Sequence, residues 1–400
     1  MPRALLVFEP PDGGVPENVA QLALGLPGHG WEIEVAGPAD ATPYRLLEDA
    51  GVPVWRIPLK RHYREVSAEL KAVGALRSLL RSGRFDLIHV HAAKAGVLGR
   101  IAALSCGVPS LYSPHCFPFV GRSSLAGRLA AIAAERTLAS TGAVLCVCEQ
   151  ERELALTHRI AAPERLHVVH NGSAAPAKHD GVPNVEIARM KERGPVVGAV
   201  AALRRQKRLD LLLDAAPLIL SKVPGASVVI VGNGPLEGEL RRHAHEIGLD
   251  RDSRFAMLPF RAPATDAIAA LDLYVLPSAW ESFPFGLLEA MACGVPQVAT
   301  DVGGNREAVT PLTGAIVPPN DAFALARETT GLLSDPSRLA LAGDASRRLH
   351  AERFGLARMV TATAAIYDEV AAGDPGQAMG SPSFASLATR QLSRQASTHP

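Results

Sequence analysis

Two carboxylates, a pair of cations and a histidine are the side chains through which this chain could do chemistry. Glu281 and Glu289 stand eight residues apart in the stretch PSAWESFPFGLLEAMACGVPQVATDVGG, residues 277–304. The apolar residues Leu287, Leu288, Ala290 and Met291 begin a helical pattern at about Phe285, and Gly294 fits the left-handed position that ends a helix. The spacing predicts a helix that opens between the two acids. Glu281 then projects from a loop at the carboxyl end of a strand, with Ser282 and Phe283 beside it, and Glu289 from the first turns of the helix. Both would face the crevice where open α/β sheets bind ligands. Ionised carboxylates so placed accept hydrogen bonds from hydroxyls, as sugars and riboses require. A Glu near a helix start can equally do no more than complement the dipole.

The cations lie in LRRQKRLD, residues 203–210. At a strand-to-helix junction, Arg204 offers a planar fork and Lys207 a point charge, which together neutralise a diphosphate. The cluster Arg204, Arg205, Lys207 and Arg208 also fits an ordinary solvated helix start. His115 closes the predicted strand Pro109–His115, just before the turn Cys116–Phe119. Catalytic side chains belong at such strand ends. Gly13 and Gly14, between a strand over Ala4–Phe8 and a helix over Val15–Leu26, would let backbone amides approach an anion. A plain tight turn is the simpler reading of those two glycines alone. Gly303 and Gly304 form a second glycine loop whose amides could face a phosphate or sugar. His89 and His91 alternate with apolar residues and read as satisfied core histidines. No metal site is expected. Asp250-Arg251-Asp252 falls in a polar interstrand loop, and the five cysteines have no metal-ligand spacing. Cys146 and Cys148 are expected to share one strand face.

Strand-like runs alternate with helical patterns along the chain, the signature of βα units around parallel sheets. Four hundred residues suffice for two domains with separate cores. Lys and Arg total 41 against 40 Asp and Glu, a net charge of +1, which argues against bulk nucleic-acid binding. The odd cysteine count suits a reducing cytoplasm. MPRALLVFEPP reads as a strand rather than a signal peptide, and no apolar run is long enough to span a membrane. Residues 56–84 are locally basic. Their helical part places Leu70, Val73, Leu76, Leu79 and Leu80 on one side. A solvated face over a core-packed stripe is the first reading, and contact with an anionic membrane surface or a lipid phosphate is the second. Ser173–Arg193 lacks a clear period and reads as an interdomain linker. Residues 372–400 are rich in Gly, Ser, Pro, Gln and Ala and are expected to be disordered.

The 277–304 stretch closely resembles the E-x7-E element of retaining GT-B glycosyltransferases, above all family 4 (glycosyl transferases group 1). Its Ser278 to Glu281 lead-in, EAMACG-P, and the GG-x-x-E that ends at Glu307 all match. Weaker matches follow in the family's order: HVHAAKAGVLGRIAA, Pro114-His115, Asn171-Gly172, Arg204 with Lys207, and Gly232-Asn233-Gly234-Pro235. Departures are Cys116 for Gly, Cys148 for Ser, His170 for Pro and Ser173 for Val.

The resemblance implies an α/β GT-B fold, two Rossmann-like domains with parallel sheets facing a central cleft. It places an acceptor domain at 1–172, the linker at 173–193, a nucleotide-sugar domain at 194–353, and a helix at 354–371 that crosses back. The implied donor is a nucleotide sugar, with UDP the first expectation. Arg204 and Lys207 would take the diphosphate, Glu289 the ribose and Glu281 the donor sugar. His115 would lie beside that sugar, and Gly13 and Gly14 would face phosphates and acceptor. Gly232 is a candidate nucleotide contact, and Leu258 stands where relatives contact the base through the backbone. Neither metal nor cofactor is implied. The acceptor could be a glycan, a lipid-linked saccharide or a small molecule, at the cytoplasmic face of a membrane. A nucleotide-sugar 2-epimerase on the same fold and a non-catalytic nucleotide-sugar binder are the competing readings.

Overall fold

A computed structural model of the chain describes residues 1–59, 66–121, 124–176 and 185–373. The expected tail lies outside the described residues from 374 on, as does the segment 60–65 of the basic region.

Seven strands build the first sheet: β1 (Arg3–Phe8), β2 (Glu32–Gly37), β3 (Val54–Arg56), β4 (Leu87–His91), β5 (Ser110–Ser113), β6 (Ala143–Cys146) and β7 (Leu166–Val168). Six build the second: β8 (Val196–Val200), β9 (Ser227–Val231), β10 (Phe255–Leu258), β11 (Leu273–Leu276), β12 (Gln297–Thr300) and β13 (Gly314–Val317). Every pairing is parallel. The orders are β3-β2-β1-β4-β5-β6-β7 and β10-β9-β8-β11-β12-β13. Helices cover both faces of each sheet, so the central strands are apolar runs rather than alternating ones. Helices Val66–Gly83, Ala93–Cys106 and Leu125–Ala139 pack together on one face of the first sheet. Helix Gly14–Gly25 covers the other. The order in which strands are added reverses between β1 and β4 and between β8 and β11, while every strand keeps the same direction. Ligands of open α/β sheets bind at the carboxyl ends of strands flanking such a reversal.

Helix Leu356–Ala371 follows the second sheet in sequence but packs against the first domain, beside Gly14–Gly25. Trp31 Nε1 donates to Asp368 at 3.0 Å, and the Tyr367 hydroxyl lies 2.8 Å from His89 Nδ1. The helices meet closely at Gly25, where a Cβ would come within 2.6 Å of Val360 Cγ2. Deeper in the first domain, Arg100 and Glu135 form an ion pair at 2.8 Å, each side chain 2% exposed. The Tyr112 hydroxyl donates to the same carboxylate at 3.0 Å, and the Arg100 guanidinium lies 4.0 Å from the centre of the Tyr112 ring.

Several local expectations change. Within 173–193, residues Val185–Lys191 form a helix that buries Ile187 and Met190 against the second core, and Ser173 bridges to Gly355. Two apolar residues at helical spacing were too short a signal to read. Leu70 is 68% exposed and does not belong to the buried stripe of its helix. Strand β5 stops at Ser113, short of His115. Cys146 ends β6, whereas Cys148 caps the next helix and belongs to a different core, so the two share no strand face. Helix Pro336–Leu349 runs on into a π-turn, His350–Phe354.

Candidate functional site

The two reversal points face each other across a cleft of about 330 Å³. Asp12, Gly13 and Gly14, after β1, and His115, after β5, line it from the first domain. Arg204, Gln206 and Lys207, after β8, and Glu281, Ser282, Phe283 and Glu289, after β11, line it from the second. The volume is at the lower end of what small-molecule sites occupy.

The short 3-10 turn Arg205–Lys207 and the left-handed Arg208 set the register of the cations. Lys207 Nζ donates to Glu281 Oε1 at 2.6 Å. Ser278 Oγ donates to the same oxygen at 2.7 Å, and Gln206 Nε2 to Oε2 at 3.2 Å. Glu281 is thus held by three donors while only 8% exposed. Arg204 reaches across the cleft to Asp12 at 2.7 Å. Charged groups that are paired and hydrogen-bonded before a ligand arrives are already oriented.

Helix Phe285–Cys293 is closed by Gly294 in the left-handed conformation and carries Glu289 in its second turn. Burial pushes the Glu289 carboxyl up to about 7, with the negative charge of Glu17 adding to the effect. Gly14 sits against the start of this helix, where a Cβ would come 3.3 Å from the Phe285 ring.

His115 and Cys116 both have positive φ, 50° and 100°. A non-glycine pair in that region is sterically costly and needs outside support. His115 Nε2 lies 2.9 Å from His91 Nδ1, and burial lowers His115 to about 4, so its ring is neutral at physiological pH. His91 Nε2 is buried without a hydrogen-bond partner among the described residues. Stranding a lone pair there costs less than stranding an N–H. This assigns the proton to His91 Nδ1, donating to His115 Nε2.

The other expected contacts do not line the cleft. Gly232 N–H donates to the Leu258 carbonyl at 3.0 Å, and a Cβ on Gly232 would lie 2.1 Å from the Ala201 oxygen. Gly303 is needed because a Cβ would lie 2.3 Å from the Glu281 carbonyl oxygen, and the Gly304 amide is committed to the Ser282 carbonyl at 2.7 Å. These glycines hold the Glu281 loop in place.

Sequence reasoning missed Asp12, Gln206 and the seam behind the cleft. There Glu307 accepts from the amides of Glu149 (3.0 Å) and Gln150 (3.1 Å) at a helix start, and from His170 Nε2 (2.6 Å). Burial pushes the Glu307 carboxyl up, but His170 and the two amides outweigh it and hold it below its ordinary range. Asn171 donates to the Phe283 carbonyl at 2.7 Å, and Ser173 Oγ lies 2.8 Å from His350 Nε2. The Asn171-Gly172 pair and the final Glu of GG-x-x-E were the available signals, but neither has a partner visible in one dimension.

Residues 13–172 match the family described as "Glycosyl transferase 4-like domain", and residues 194–335 match "Glycosyl transferases group 1". The chain is 30% identical over 371 residues to the D-inositol 3-phosphate glycosyltransferase of Rhodococcus opacus (strain B4), covering 86% of this chain and 82% of that protein. It is 29% identical over 246 residues to the UDP-Gal:alpha-D-GlcNAc-diphosphoundecaprenol alpha-1,3-galactosyltransferase of Escherichia coli, covering 60% of this chain and 63% of that protein's length. In three dimensions it is similar to Anabaena HepE in complex with UDP and glucose, with a TM-score of 0.77 at 22% identity over 92% of this chain and 100% of that one.

Proposed function

This chain belongs to the group 1, family 4 glycosyltransferases of GT-B fold, and from that premise we propose that it transfers a sugar, with retention, from a UDP-sugar to a hydroxyl of a lipid-linked glycan. The observation that supports this reading is the cleft itself. Arg204 and Lys207 on one wall suit a diphosphate, and Glu281 and Glu289 beside them suit sugar and ribose hydroxyls. Uridine is supported by the UDP in the Escherichia coli relative's name and in the HepE complex.

Charge develops on the leaving diphosphate as the bond from the anomeric carbon breaks. Arg204 exchanges Asp12 for a diphosphate oxygen, and Lys207 shares its ammonium between Glu281 and the diphosphate. The acceptor oxygen bonds the anomeric carbon on the face the diphosphate leaves, and a diphosphate oxygen takes its proton. Positive charge comes from Arg204 and Lys207, so the step is metal-independent. His115, being neutral, hydrogen-bonds the sugar without adding charge. Closure of the walls excludes water and limits hydrolysis.

Glu289 gives a direct test. Accepting two ribose hydroxyls requires its carboxylate, so binding below about pH 7 must expel a proton. UDP affinity, measured by calorimetry in EDTA, rises up to about tenfold per pH unit as the pH climbs toward 7 and then levels. The affinity of Glu289→Gln is weaker and flat with pH. The unliganded protein behaves oppositely. A carboxyl whose folded value is raised stabilises below its unfolded value, and that contribution is lost as pH rises through about 7. A pH-independent UDP affinity in the native protein would remove Glu289 from the ribose site.

A surface of the first domain supports the lipid-linked acceptor. The outer sides of Val66–Gly83, Ala93–Cys106 and Leu125–Ala139 expose Leu70, Ile101, Leu104, Leu125 and Leu129 among Lys71, Arg81, Arg84, Arg128 and Arg136. The two acids on these helices are both engaged, Glu69 with Lys94 and Glu135 with Arg100. No helix among the described residues is long and apolar enough to cross a membrane. A cationic, apolar face of this kind rests on an anionic bilayer at the cytoplasmic side, each cation contributing about 1 kcal/mol. The protein is therefore expected to sediment with phosphatidylglycerol vesicles but not with phosphatidylcholine ones. Leu125→Ser/Leu129→Ser weakens this about tenfold. Equal partitioning into both vesicle types, or into neither, would favour a soluble acceptor such as an inositol phosphate, the kind named for the Rhodococcus opacus relative.

A further inference from the structure

Glu151 has no part in the transfer described above, yet it is a carboxylate 3% exposed directly behind the cleft. It stands three residues after the helix-capping Cys148, where a capping carboxylate usually turns back to the cap's own amide. Here it does something else. Oε2 accepts from the Val147 amide at 2.8 Å. Oε1 accepts from the Cys116 amide at 2.7 Å and from the Ser282 hydroxyl at 2.9 Å. Cys116 follows His115 in the strained turn of the first domain, and Ser282 follows Glu281 in the second. A single oxygen therefore joins the two loops that carry His115 and Glu281, one from each wall.

We propose that Glu151 is a positioning residue that sets His115 against Glu281 when the two domains meet. This rests on the glycosyl-transfer reading and deepens it. Three features make the bridge more than a local cap. The Cys116 amide belongs to a backbone conformation that needs support, and this bond supplies it. The Ser282 hydroxyl can reach Glu151 only while the domains are together. Ser282 is also fixed from behind, its carbonyl accepting from the Gly304 amide at 2.7 Å and facing Cys148 Sγ at 3.6 Å, so a shift there moves Glu281 with it. A misplacement of about 1 Å in a reacting pair can cost on the order of 100-fold in rate. The bridge therefore acts on turnover more than on nucleotide binding, since neither Glu151 nor Cys116 lines the cleft.

The test uses the full chain with Glu151→Gln, Ser282→Ala and the double variant. Amide hydrogen exchange over residues 112–121 needs no ligand. It should quicken about tenfold in Glu151→Gln, and also in Ser282→Ala, although Ser282 lies in the other domain. The double variant should match Glu151→Gln, because both changes act through one link. UDP affinity by calorimetry stays within about threefold of the parent, while release of UDP from UDP-glucose, UDP-galactose or UDP-N-acetylglucosamine falls about tenfold or more. Unchanged exchange over 112–121 in Ser282→Ala, or effects that multiply in the double variant, overturns the proposal. So does parallel loss of affinity and turnover, which is what simple unfolding would give. Failure of the parent to bind UDP would count against the donor assignment instead, and the exchange comparison would still decide the bridge.

Discussion

Lys207→Ala lowers kcat/KM for transfer by about 100- to 1,000-fold, the loss typical of removing one group that stabilises developing negative charge. The same change also strips Glu281 of its 2.6 Å partner in a place where that carboxylate is only 8% exposed. Breaking such a pair costs about 3–5 kcal/mol when fully buried. Lys207 is 20% exposed, and Ser278 and Gln206 still donate to Glu281, so about 2 kcal/mol is the better expectation here. The two losses separate in Lys207→Ala/Glu281→Gln. Neutralising the stranded acid restores most of the melting temperature, while turnover stays at or below that of the single variant. If turnover instead recovered with stability, Lys207 would be a structural counter-ion and the diphosphate would rest on Arg204 alone.

The largest loss of stability is expected from Glu135→Ala, at about 3–5 kcal/mol for the first domain. It strands the Arg100 guanidinium at 2% exposure and removes the acceptor of the Tyr112 hydroxyl. Arg100→Met/Glu135→Leu takes both charges away and should recover most of that loss, falling short of the parent by the unpaired Tyr112 hydroxyl, since well-packed apolar pairs often replace buried ion pairs at no cost. Denaturant unfolding followed by two probes, one per domain, checks this, because a two-domain chain need not unfold in one step. A Glu135→Ala midpoint equal to the parent's would mean that water reaches the pair. The effect reaches the cleft through β5, which bears Tyr112 and leads to His115.

What could be read from the sequence was what repeats or is local. Alternating apolar runs gave the βα order, and Gly294 gave the end of the helix bearing Glu289. Glu281, Glu289, Arg204, Lys207, His115, Gly13 and Gly14 line one cleft, because all but Glu289 stand shortly beyond a strand, Glu289 lies on the helix after such a loop, and all strands of a parallel sheet point the same way. Pairings between the walls could not be read. Arg204 with Asp12 and Glu151 with Ser282 join residues more than a hundred positions apart, and nothing in either segment names its partner. The departures from the family pattern show the same limit. Cys148, His170 and Ser173 stand out in the sequence only as departures from the family's residues. In the structure they contact Ser282, Glu307 and His350, forming the seam that joins the domains. Gly303 and Gly304 lie outside the cleft lining. Their freedom serves the Glu281 loop, a use that only the nearby carbonyls reveal.

The helix Leu356–Ala371 has a consequence for how the protein is made. The first domain leaves the ribosome early, but the helix that covers Trp31 and His89 is made only after the second domain. Domains generally fold as units while synthesis proceeds. This one waits with an uncovered apolar flank until the second domain has been translated. A nascent chain arrested before Leu356 would offer that flank to chaperones and proteases whatever the state of its second half. Synthesis of that helix thus becomes the checkpoint for a finished first domain.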